Sequence, residues 1–280
     1  AELWVETLVA QNTIATIGGR ILVGPTTTLT RDVAVGDGTI YVKHNEMASG
    51  DRCYLEGVNT AGAAQLEFMA VTSAPTLQAE GDYSYSVTRN LDGTGANTWY
   101  AGDAVFNTGT TGDGFIDIYS LRSVKSATQY GPALVGNIRN SATYNDWSEH
   151  WAIGNLNGLY GYGTTTYGAA FGKYGGTTSD YLTVDATNGI RFMNYNSGSP
   201  TVQGSLSAKV WTLGATAGNH VQVTTSEVLF KTGATELGKV TGTSFLFGLN
   251  TGTNPNLVFD TTNGLRLRHG TTEVITFDVS

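Results

Sequence analysis

Leu257-Val258-Phe259-Asp260-Thr261-Thr262-Asn263-Gly264-Leu265-Arg266-Leu267 reads as a strand, a turn and a second strand. Asn-Gly between two runs of this kind is the strongest short-range hairpin signal. The same shape occurs at Leu182-Thr183-Val184-Asp185-Ala186-Thr187-Asn188-Gly189-Ile190-Arg191-Phe192. A third copy, one residue shorter, is Val221-Gln222-Val223-Thr224-Thr225-Ser226-Glu227-Val228-Leu229-Phe230. The copies continue into another turn and strand, as in Arg268-His269-Gly270-Thr271 before Glu273-Val274-Ile275. A lone hairpin is marginal in water, and repeats with so few large apolar residues need neighbours to bury a face. Stacking along one chain would supply them, and so would several identical chains wrapped about a shared axis. Three copies of irregular length favour the second solution, an intertwined homo-oligomer whose closure also removes exposed edges.

Outward from the repeat, period-two alternation bounded by Gly, Asn, Asp and Thr continues along the chain. Thr39-Ile40-Tyr41-Val42-Lys43 and Tyr83-Ser84-Tyr85-Ser86-Val87-Thr88 are examples, built from residues that fit a pleated, half-buried surface. Helical periodicity is almost absent. Its best candidate, residues 3–11, lacks an N-cap and reads as a strand or short turn.

The fold class is therefore all-β, divided as follows. Residues 1–19 form an N-terminal connector. Residues 20–109, with six short strands, form a small barrel or sandwich. Residues 110–175 interleave aromatics with glycine, as in Tyr160-Gly161-Tyr162-Gly163, and read as a junction where chains or sheets pack closely. Residues 176–280 are the β-hairpin repeats, the part expected to intertwine with other copies of the chain.

Composition narrows the function. The chain has 280 residues, 40% of them hydrophobic, which suits folded domains with cores of their own. Only 14% are charged, against roughly 25% in ordinary soluble domains. The net charge of −8 is spread without a basic cluster, which argues against a nucleic-acid partner. No apolar run approaches the roughly 18 residues of a membrane helix, so no membrane insertion is expected. The single cysteine, Cys53, excludes an intrachain disulfide framework and reads as a buried small hydrophobe. Neither end carries a targeting or capping pattern, and both read as cuts inside a longer polypeptide.

With these residues in hand, a family likeness can be stated. The hairpins at 182–194 and 257–280 resemble those near the end of many phage tail fibre and tail-associated virion proteins. Residues 39–42, 50–56 and 85–109 are similar to small β-domains of phage tail and virion proteins. The resemblance implies an elongated homotrimeric fibre or spike component located in the virion, an extracellular appendage. It further implies a structural role without catalytic residues and contacts with other tail or virion proteins; host attachment, with a host-surface glycan as the candidate partner, is the further role considered for it.

Chemistry-bearing constellations are missing. His44, His150, His220 and His269 are far apart in sequence, with no ligand spacing. Glu149-His150 is a lone pair beside Trp151. Asp113 and Asp117 have the spacing to share one face of a strand, as a glycosidase pair would, but read better as turn and strand-edge residues. There is no Gly-x-Ser-x-Gly, and Gly93-Thr94-Gly95 lacks the Lys-Ser/Thr context of a phosphate loop. The expectation is a protein that is not an enzyme, with no catalytic, cofactor-binding or metal residues and no cofactor. The candidate functional residues are aromatics: Trp147, Trp151, Tyr160, Tyr162 and Tyr167, placed either at a trimer-packing junction or at a glycan contact. The other reading of the whole chain is a carbohydrate-binding module or cell-surface adhesin.

Overall fold

The computed structural model describes residues 14–17, 20–120, 128–207, 210–249 and 254–277, and these contain strands and turns but no helix. The strand or turn expected at 3–11 lies outside the described residues, as does most of the connector expected at 1–19. The chain divides into two units, Ala1–Ala169 and Ala170–Ser280.

The strands of the first unit are β1 (Ile14–Ile17), β2 (Arg20–Val23), β3 (Thr26–Thr28), β4 (Thr39–Val42), β5 (Arg52–Val58), β6 (Ala64–Val71), β7 (Thr76–Leu77), β8 (Tyr83–Thr88), β9 (Ala104–Gly109), β10 (Gly114–Tyr119), β11 (Ala133–Arg139) and β12 (Trp147–Asn155). β13 (Tyr167–Phe171) spans the division. The second unit holds β14 (Thr178–Asp185), β15 (Gly189–Asn196), β16 (Ser199–Leu206), β17 (Val210–Leu213), β18 (Asn219–Thr224), β19 (Glu227–Thr232), β20 (Thr235–Thr241), β21 (Ser244–Gly248), β22 (Pro255–Asp260), β23 (Gly264–His269) and β24 (Thr272–Phe277).

In the first unit β3, β9, β5, β6, β8 and β4 pair in that order, and β7 adds to β8. The two ends meet: Leu29 bridges to Val42, and Lys43 N–H donates to Thr28 C=O at 2.9 Å. The sheet thus comes close to a closed barrel, which leaves few free edges. Alternation along the strands sends Ile40, Val42, Cys53, Leu55, Met69, Tyr85 and Val105 into one core with Trp99. The opposite faces of β5, β6 and β9 carry Tyr54, Phe68 and Phe106.

Those three rings make the second core of this unit. β1, β2, β10, β11 and β12 form an antiparallel sheet whose inner face supplies Leu22, Phe115 and Trp147 to it. Phe115 meets Phe106 at 5.6 Å and Trp147 at 5.3 Å between ring centroids, both edge to face, the geometry aromatic quadrupoles prefer.

The second unit is a meander in which each strand from β14 to β24 pairs with the next. The repeat seen in the sequence is a block of four strands. A β-bulge marks the same place in each block, leaving Gln203, Leu237 and Val274 as the extra residues on β16, β20 and β24. The repeats complete their hydrogen-bond ladders within one chain, so the backbone needs no strand from another copy. What stays uncovered is a face.

Candidate functional site

Directly opposed residues of an antiparallel pair point to the same side of the sheet. Followed strand by strand, this rule places Val184, Ile190, Leu206, Trp211, Val223, Val228, Val240, Phe245, Phe259, Leu265 and Phe277 in one row. Beside it runs a second row: Leu182, Phe192, Gly204, Leu213, Val221, Phe230, Gly238, Phe247, Leu257, Leu267 and Ile275. Apart from the indole N–H of Trp211, neither row carries a hydrogen-bonding side chain. Much of the strip is open, with Phe247 65% and Phe277 61% exposed.

The other side of the same strands mixes Thr183, Arg191, Ser205, Thr212, Gln222, Lys239 and Arg266 with Tyr181, Met193, Leu229, Leu246 and Val258, and all of Tyr181, Thr183, Met193, Thr212, Leu246, Val258 and Arg266 are buried. That mixed side holds the buried apolar residues of these strands, Tyr181, Met193, Leu246 and Val258. In a single chain the apolar side is the more exposed one.

Local chemistry fixes the register that builds the strip. Asp185 Oδ1 accepts from the backbone N–H groups of Thr187 and Asn188 and from Asn188 Nδ2, all within 2.9 Å. Asp260 repeats this with Thr262 and Asn263. Thr224 Oγ1 takes the same role in the middle copy, accepting from the N–H groups of Ser226 and Glu227. Only the glycine of each Asn-Gly pair, Gly189 and Gly264, has a positive φ. The expected Asn-Gly turn, which needs both central residues at positive φ, is thus replaced by an Asp-anchored loop closed by a left-handed glycine. The asparagine serves as a donor instead. Arg266 pairs with Asp260 and, at 2.8 Å, with Glu273 on the polar side of this repeat.

The five aromatics singled out in the sequence separate. Trp147 is 2% exposed in the core between barrel and sheet, where the Arg139 guanidinium lies 5.5 Å from its ring centroid. Tyr160 is also buried, in a turn held by Leu159 N–H to Leu156 C=O and Tyr162 N–H to Leu159 C=O. Tyr162 is half-buried. Trp151 covers Gly136 on the neighbouring strand, so closely that a Cβ there would collide with the indole. Tyr167 is 57% exposed and lines a shallow groove with Ile21, Ile118, Leu134 and Ile153.

That groove belongs to a second apolar face. On the outer side of β2, β10, β11 and β12, one row runs Ile21, Ile118, Leu134, Ile153 and another runs Val23, Ile116, Gly136, Trp151. Sequence reading flagged the aromatics around this face but missed the aliphatic rows. It missed the strip of the second unit as well. The signal was there, as apolar residues at every second position of each strand.

A buried ion pair organises the barrel. Glu67 has no exposed surface, and its carboxylate accepts from Arg89 Nε at 2.9 Å, Arg89 Nη2 at 2.7 Å and Trp99 Nε1 at 2.7 Å. The N–H groups of Asn97 and Asn90 complete the set. Burial opposes ionisation of Glu67, but the hydrogen bonds from Arg89, Asn97 and Trp99 and the Arg89 charge outweigh it and lower its pKa. These bonds tie the glycine-rich loop 90–98 onto the barrel, so Gly93-Thr94-Gly95 belongs to a structural turn.

The remaining candidates sit apart. Asp113 is a turn residue that accepts from Thr110 N–H at 2.8 Å, whereas Asp117 is buried. Glu149 is buried and accepts from Gln129 Nε2 at 2.8 Å, while His150 is the extra residue of a bulge. Among the described residues no group of His, Cys, Asp or Glu side chains could hold a metal ion. No helix among them is long and apolar enough to cross a membrane. The chain matches no protein-family model, no curated protein and no solved structure.

Proposed function

We propose that this chain is a structural component of a phage tail fibre or other virion appendage, built as an elongated homotrimer, joined to other tail or virion proteins and serving host attachment. The observation that carries the reading is the two-row apolar strip of β14–β24 in a chain with few charged residues. A sheet that exposes its apolar side as a long narrow band is fit for bundling into a shaft and poorly fit for life as a monomer. The hairpin repeats and the resemblance noted above point the same way. On this reading the protein is not an enzyme, and its side chains hold shape. Electron micrographs of the purified protein are expected to show thin rods of constant width. Round, compact particles would overturn the reading.

The adhesin or carbohydrate-binding alternative keeps one specific support. Tyr167 offers an exposed ring beside an apolar groove, as sugar-stacking residues do. Glycan-array binding that disappears in Tyr167→Ala, with assembly intact, would favour it.

A further inference from the structure

We infer that Asn263, in the turn between β22 and β23, is a site of spontaneous deamidation and backbone isomerisation, and that the fold protects its counterpart in the first repeat, Asn188. The reaction needs no partner, so it is independent of the fibre reading.

Asparagine followed by glycine is the pairing most open to this chemistry, because glycine leaves the following backbone nitrogen unshielded and free to turn. The chain contains three such pairs, Asn157-Gly158, Asn188-Gly189 and Asn263-Gly264. The glycine nitrogen attacks Cγ of the asparagine and gives up its proton. An N–Cγ bond forms, the Cγ–Nδ2 bond breaks, and Nδ2 leaves with that proton as ammonia. Water then opens the succinimide ring. Attack at Cγ breaks the new bond and yields aspartate. Attack at the main-chain carbonyl breaks the original peptide bond and yields isoaspartate. Water is the one co-reactant.

The fold treats the three pairs differently. Gly158 N–H is engaged with Tyr162 C=O at 2.8 Å, and a Cβ on Gly158 would lie 2.2 Å from the Thr128 carbonyl oxygen. The nucleophile there is occupied and hemmed in. Asn188 Nδ2 donates to both oxygens of Asp185, at 2.9 and 3.1 Å, and that carboxylate has no exposed surface. Gly189 is pressed against β16, where a Cβ would lie 2.3 Å from the Leu206 carbonyl oxygen. Asn263 is exposed, its Nδ2 donates to Asp260 Oδ1 at 3.1 Å, and the Asp260 carboxylate is 16% exposed.

Ring closure requires the asparagine side chain to swing away from its aspartate toward the next nitrogen. The rate therefore follows the population of the opened turn. Hydrogen bonds to a carboxylate in reach of water cost less to break than the same bonds to a buried one. The turn at Asn188 stays shut, and the turn at Asn263 opens.

Conversion has a structural consequence. A donor to Asp260 becomes an anion facing it, beside an Arg266 that already pairs with both Asp260 and Glu273. Isoaspartate also adds a main-chain carbon to a turn closed by Gly264 at a φ of 73°. A longer turn disturbs the register of the strands it joins, so the β22–β23 hairpin loosens.

Peptide mass mapping of the full chain, aged in mildly alkaline buffer, tests this. The peptide holding Asn263 is expected to show the mass gain of an amide converted to an acid, split on chromatography into aspartate and isoaspartate forms. Conversion at Asn188 and Asn157 is expected to lag by about ten-fold or more, the factor that one further hydrogen bond to a buried charge puts on opening. In denaturant the three pairs should convert at similar rates, because the fold sets the order. Native Asn188 or Asn157 converting as fast as Asn263 would overturn the inference, and so would a native Asn263 still intact once the denatured chain has converted fully. Asn263→Asp installs one product directly, and the second unit of this variant is expected to unfold at lower denaturant than the parent. An unchanged midpoint would refute the loosening of the hairpin.

Discussion

Replacing Glu67 by glutamine removes one charge from the best-satisfied polar cluster in the barrel. The carboxylate accepts five hydrogen bonds and faces Arg89, whose side chain is only 6% exposed. Glu67→Gln keeps the volume but turns an NH2 group toward donors and leaves the guanidinium buried without its counter-ion. Breaking a buried pair from one side costs about 3–5 kcal/mol. For a unit of this size each kcal/mol lowers Tm by about 2–4 °C, so a fall of roughly 6–20 °C is expected. Trp99 donates to the same carboxylate and is fully buried, so its fluorescence reports the transition locally.

The pH dependence carries a sign. The folded pKa of Glu67 lies below its unfolded value near 4.5, so its contribution is complete above that value and fades as pH falls through the folded pKa. The gap in Tm between parent and variant should therefore be widest near neutrality and shrink in acid. A variant melting within about 2 °C of the parent at neutral pH, or a gap that widens in acid, would refute the reasoning.

Cys53 has no exposed surface, and burial, followed by the Asp51 charge, pushes its thiol well above the usual range. Ellman's reagent is expected to leave it unmodified in the native protein and to label it in denaturant. Asp260→Ala removes the acceptor of three turn hydrogen bonds and the partner of Arg266, and should cost about 1–3 kcal/mol by denaturant unfolding of the second unit. Trp147→Ala should destabilise the first unit by about 3–5 kcal/mol, because it empties the core between barrel and sheet. Tyr167→Ala should leave the melting temperature within about 2 °C of the parent.

All-β character and the hairpin repeat were legible because period-two alternation and Asp-x-x-Asn-Gly are local signals. Five of the six short strands read from 20–109 are barrel strands; Ile21–Val23 joins the sheet with β10 instead, and Thr26–Thr28, too short and polar to stand out, completes the barrel. The apolar strip was not legible, although each of its residues stands at an alternating position. Joining the strands into rows requires knowing that Gln203, Leu237 and Val274 are bulged out, since a one-residue slip would carry the next strand's apolar set to the other side. Nothing in the local sequence marks these as extra residues. The pair Glu67–Arg89 escaped notice for a similar reason: its partners lie 22 residues apart, one on β6 and the other just past the end of β8. In sequence Trp147 and Tyr167 are alike only as aromatics of the same 110–175 stretch. Only packing sends one into the core and leaves the other exposed.

The central claim is that one chain of 29.6 kDa is incomplete until its apolar strip is covered by copies of itself. Sedimentation velocity at micromolar concentration tests this most directly, because it yields mass and shape together. The expected result is a single species of three chains with a high frictional ratio. A compact species with the mass of one chain, unchanged on concentration, would contradict it.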